Sequence, residues 1–298
     1  MTMLWPLIAL TGAALQTLRN ATQSGLTARI GTIGATQVRF LFGLPFAAAF
    51  LLLAVAVTGQ PLPRPDLTVI LWAAFGGWAQ IAATALMLFV MKTNGFGIST
   101  AWLKGEPVIV ALIGWAVLGD PLTPAMLLGI GVAVAGVLIL SLRPGMTLDQ
   151  LAQLRPAALG LLAGAFFGLS AIGFRGGIVA LGEGDSLIRA LTVLVIALAI
   201  QSATLMLWML AFNRPALRGS LAAWRPSLSA GALGAAASAC WFLSFALASA
   251  AHVRTVALSE VIFALMLSRW HFRQSVTRRQ LAGIAVLLAG VAVLLLAG

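Results

Sequence analysis

Two of the seven acidic residues in this 298-residue chain stand where a carboxylate is costly. Glu106 falls near the centre of the apolar stretch Ile98–Leu118, and Glu260 near the centre of Val253–Phe272. A charged side chain in the middle of a bilayer costs about 3 kcal/mol or more unless it is paired, protonated or hydrated. Such a residue is therefore a candidate for binding a solute or a proton. An apolar setting favours the neutral carboxyl, which suits a group that must take up and release a proton. The competing reading is a structural ion pair with a nearby arginine or lysine.

Around Glu106 the sequence offers further chemistry. Trp102 lies one turn earlier on the same helical face and could line a bound solute. Lys104 is two residues away, about 200° round the helix, so it must pair elsewhere or snorkel if Glu106 faces a cavity. Pro107 removes an amide donor and marks a hinge where a span bends. Trp78, Gln80 and Trp241 are expected to line a cavity suited to aromatic or cationic groups. Arg39 and Arg189, early in two other spans, offer planar guanidinium groups to a carboxylate or phosphate, as do Arg19 and Arg175. Snorkelling is the plainer role for all four. Gly76-Gly77 suits close helix contact or a hinge. His252, His271 and the single Cys240 are too few and too scattered for a metal site, and no cofactor motif is present.

These residues belong to a repeated pattern. Sliding the chain by 154 positions, without a gap, places Glu106 on Glu260 and Thr123 on Thr277. The same shift places Leu127 on Leu281, Gly129 on Gly283 and Gly136 on Gly290. A period this long indicates an internal duplication. Trp102, Lys104 and Pro107 have no like counterpart, so the pseudo-symmetry is broken next to the glutamate, as an asymmetric solute requires.

The elements that must carry these residues follow from composition. With 61% hydrophobic and 8% charged residues and a mean hydropathy of +1.05, the chain is suited to a lipid bilayer. A net charge of +11 carried by arginines set singly between apolar runs points to membrane-facing loops and anionic head groups rather than nucleic acid. About ten membrane-spanning helices are expected: Met3–Ala21, Thr32–Val57, Leu67–Met91, Ile98–Leu118 and Ala125–Leu142, then Ala157–Leu181, Leu187–Phe212, Ser227–Ala250, Val253–Phe272 and Arg278–Ala297. They form a first repeat (residues 1–142), a linker (143–156) and a second repeat (157–298). Five spans per repeat force opposite orientations on the two halves, giving an all-α integral membrane protein of two inverted five-helix repeats.

The layout resembles the EamA-type branch of the drug/metabolite transporter superfamily. The likeness rests on the Pro107-containing span, the turn Gly119-Asp120-Pro121-Leu122-Thr123, the Gly129/Gly136 spacing and Val38-Arg39-Phe40. The second half departs from it, with Arg273-Gln274-Ser275 in place of the acidic turn. The resemblance implies an exporter or exchanger of amino acids, nucleotide derivatives, drugs or other metabolites. The inverted repeats add alternating access, and the intramembrane carboxylates add Glu106 and Glu260 as the proton-coupling pair of a secondary transporter. The resemblance further implies a monomer or homodimer in the bacterial inner membrane, without a cofactor. An integral-membrane transferase, a channel or a non-transporting subunit are the alternatives. The resemblance places both termini in the cytoplasm, whereas the arginine count across the loops favours the reverse.

Overall fold

The structure, a computed structural model, describes residues 4–94, 106–141, 154–182, 184–272 and 277–297. Every element among them is a helix. This follows from composition: in hydrocarbon each backbone N–H and C=O needs an internal partner, and a helix supplies one within the segment. In chain order the helices are α1 (Leu4–Leu41), α2 (Leu44–Thr58), α3 (Leu67–Asn94), α4 (Glu106–Leu118), α5 (Pro124–Ser141) and α6 (Leu154–Ala180). They continue with α7 (Ser186–Phe212), α8 (Arg214–Ala222), α9 (Trp224–Leu247), α10 (Ala250–Ala257), α11 (Glu260–Phe272) and α12 (Arg278–Ala297).

Among the described residues, seven stretches are long and apolar enough to cross a membrane. They coincide with the expected second, third and sixth to tenth spans. The expected fourth and fifth appear as the shorter apolar helices Glu106–Leu118 and Pro124–Leu140. Just before the expected second span, and ten residues beyond the expected end of the first, α1 breaks at Gly31 (φ 72°, ψ 173°), a conformation open to glycine and costly for side chains.

Three local expectations are corrected. The eighth span, expected from Ser227, starts earlier: Trp224-Arg225-Pro226 opens α9, because proline is tolerated in a first helical turn. The short helix α8 lies between the expected seventh and eighth spans. Asn213 serves both neighbours: its N–H bonds the Met209 carbonyl at the end of α7, and its side chain accepts from the Ala216 N–H. Finally, the ninth span is not continuous. It breaks at Leu258-Ser259 into α10 and α11, and short i→i+3 bonds from Leu258 and Ser259 to Thr255 and Val256 satisfy the turn.

The chain divides into two compact units, each drawing on both sequence halves. The first unit comprises residues 1–78 and 173–248. There α1 lies along α9, where a Cβ on Gly12 would come within 3.1 Å of the Cys240 Cβ, and α3 meets α6, where a Cβ on Gly76 would come within 2.7 Å of the Phe174 ring. The second unit comprises residues 79–172 and 249–298. Its central contact is α5 against α12. Gly129 meets Gly290 and Leu294, and Gly136 meets Gly283 and Leu287, backbone against backbone. The glycines aligned by the 154-residue shift are therefore the ones that touch, in pairs that the shift exchanges. Leu258, at the break before α11, packs into the same seam with Ala133, Val137 and Leu287. The seam thus holds in place the helix start that carries Glu260.

Candidate functional site

The second unit brings the two duplicated glutamates into one charge cluster. Each opens a helix: Glu106 stands in the first turn of α4, Glu260 in the first turn of α11. The partial positive charge of a helix N-terminus favours a carboxylate at both places. Helix α10 packs on α4 and delivers Arg254 to Glu106. Arg254 Nη2 donates to Glu106 Oε2 at 2.6 Å, and Nε lies 2.6 Å from Oε1. One charge-assisted hydrogen bond and a second close approach of opposite charges make the pair stronger than a neutral hydrogen bond. Glu106 is only 7% exposed, so this pair is largely desolvated. Glu260 is less buried and lies within electrostatic reach of the same guanidinium. The result is a Glu–Arg–Glu arrangement in which one arginine faces two carboxylates.

Energetically the pair is asymmetric. Removing both charges from a well-packed site often costs little, whereas removing one leaves the other buried and alone. Removing one partner of the Glu106–Arg254 pair is therefore expected to weaken the contact between α4 and α10. Any cation, proton or competing carboxylate that enters changes the charge balance there.

The remaining expected site residues are dispersed. Trp102 and Lys104 lie outside the described residues. Pro107 follows Glu106 in the first turn of α4, where its missing N–H costs no helical bond. Gln80 is partly buried on the part of α3 that belongs to the second unit. In the first unit, Trp241 is buried and its indole N–H donates to Gln16 Oε1 at 3.1 Å. Trp78 turns outward, 55% exposed, with its indole N–H on Thr204 Oγ1. Trp5, expected at an interface, is buried. Gly76 and Gly77 sit inside α3 at close contacts with Phe174 and Gln201.

Three arginines of the first unit are engaged by the chain itself. Arg189 donates to the Gly182 carbonyl and to Ser186 Oγ near its own helix start. The Arg39 guanidinium lies over the Phe40 ring, 5.2 Å from its centroid. Arg175 Nη1 donates to the carbonyls of Phe245 and Ala248, closing the end of α9 where carbonyls lack helical partners. No group of three or more metal-ligating side chains occurs among the described residues.

The residue that sequence reasoning passed over is Arg254. It sits at the entry of an apolar stretch, where an arginine reads as a loop or snorkelling charge. Under the 154-residue shift it aligns with Thr100, so the duplication gives no hint of it. The signal available was its six-residue distance from Glu260.

A multi-pass helical membrane protein with a charge cluster inside apolar helices is the class defined so far. The chain belongs to the EamA-like transporter family, whose model matches residues 3–142 and again 154–296. Over 88 residues the chain is 39% identical to a multidrug transporter of Pseudomonas aeruginosa, covering 29% of this chain and 74% of that protein. A crystal structure of another protein superposes over 100% of this chain and 99% of its own, with a TM-score of 0.70 at 15% identity, a likeness of fold.

Proposed function

We propose that the protein is a secondary transporter moving a small organic metabolite by alternating access of two inverted five-helix repeats. The observation that carries this reading is the Glu106–Arg254–Glu260 cluster, three charges within apolar helices of a chain from a transporter family. Intramembrane charges are retained for transport pathways and proton relays far more readily than for stability. The repeat organisation is supported by the family model's two matches and by glycine contacts that the 154-residue shift exchanges in pairs. It is supported too by a relative less than half as long as this chain.

In this reading the ten spans comprise the seven long helices, the first part of α1, and α4 and α5. Glu106 and Glu260 form the proton-coupling pair, and Arg254 is the counter-ion that contacts Glu106. A solute that is amino-acid-like, nucleotide-like or drug-like binds beside the cluster, with Trp102, Lys104 and Gln80 as further contacts. The drug-like class is favoured by the name of the Pseudomonas relative. Arg39 and Arg189 serve local structure, Pro107 and Gly76-Gly77 are the points where helices bend, and the location is a bacterial inner membrane.

A thermal-shift screen of amino acids, nucleosides, polyamines and cationic drugs selects a solute for liposome assay. Saturable counterflow of that solute is expected in liposomes containing the protein. Flux that rises linearly with concentration, with no counterflow, would point to a channel instead.

A further inference from the structure

We propose that α8, together with Arg225, is a docking surface for anionic phospholipid head groups. At nine residues α8 is about 14 Å long, far too short to span a bilayer. One face is committed to the protein: Leu217 and Ser220 are buried, and the helix packs on α1 beside Ile30 and Gly34. The other face carries Arg214, Arg218 and Leu221, spaced four and three residues apart so that they share one side. All three are exposed, as is Arg225 just beyond.

Apolar anchors flank these charges. Phe212 is 76% exposed and stacked on Trp208, and Trp224 is 49% exposed with the Arg225 guanidinium 5.3 Å above its ring. Amphipathic rings at a helix end, followed by a short basic helix, are the pattern of a membrane–water boundary. The charge has no counterpart in the chain nearby, because no acidic residue occurs between Asp185 and Glu260. Phosphodiester head groups supply the complement, at about 1 kcal/mol for each arginine close to an anionic surface. Since α8 rests on α1 next to the break at Gly31, bound lipid would steady that break.

The test uses the full chain purified in a neutral detergent and the midpoint of thermal unfolding. Adding phosphatidylglycerol should raise the midpoint by about 2–4 °C, while phosphatidylcholine and inorganic phosphate should not. The rise should vanish in the triple variant R214Q/R218Q/R225Q and persist in R64Q, which removes an exposed arginine elsewhere. Single variants are measured beside the triple one, and R218Q alone should reduce the rise. An undiminished rise in R218Q and in the triple variant, or an equal rise with inorganic phosphate, would overturn the proposal.

Discussion

Replacing Arg254 with methionine should destabilise the protein by about 3–5 kcal/mol and abolish transport. The substitution leaves Glu106, 7% exposed, buried at the start of α4 without the guanidinium that contacts both its oxygens. The carboxyl must then stay charged in a poor solvent or take a proton, and either costs free energy. The N-terminus of α4 offsets only part of this, about 0.3–1 kcal/mol. If the loss comes from the orphaned charge rather than from lost packing, E106Q/R254M should recover most of the stability, though not the transport. Thermal unfolding of the unmodified protein and the two variants in detergent makes the comparison. A double variant no more stable than R254M would show that the pair contributes through shape instead.

A methyl group at Gly290 should be nearly as damaging. Its Cβ would lie 2.2 Å from the Ala133 nitrogen and 2.7 Å from the Gly129 carbonyl oxygen. Those neighbours are backbone, so no rotamer change relieves the clash, and α5 and α12 must separate. Overpacking of a core costs about 1–3 kcal/mol, occasionally more, and G290A belongs at the upper end. Separation would also shift Leu258, which packs in the same seam, and with it the turn that sets Glu260. A control lies on α5 itself: a Cβ at Gly131 meets nothing within 4 Å. G131A should therefore be neutral, or gain up to about 1 kcal/mol from improved helix propensity. Equal losses in G290A and G131A would contradict the seam.

These two effects differ in how far they could be read beforehand. Length and apolarity suffice to place helices, because hydrocarbon leaves the backbone no alternative. The 154-residue shift singled out Gly129, Gly136, Gly283 and Gly290, but a linear pattern does not reveal that the copies pack against each other. It also paired Glu106 with Glu260 while hiding Arg254, whose counterpart is a threonine. The break at Leu258-Ser259 has neither glycine nor proline to announce it, and satisfies itself through short backbone bonds. Helices that are apolar all round conceal their azimuth, so periodicity alone does not say which way Trp78, 55% exposed, faces. Helix α8 was hidden by its own proline and asparagine, ordinary turn residues that here start a helix.

The central claim is that the two glutamates around Arg254 couple transport to protons. It is tested most directly by the pH dependence of transport in liposomes for E260Q, E106Q and E106Q/E260Q. The account predicts that each single variant alters the pH dependence and that the double variant loses it. Unchanged pH dependence in all three would contradict it.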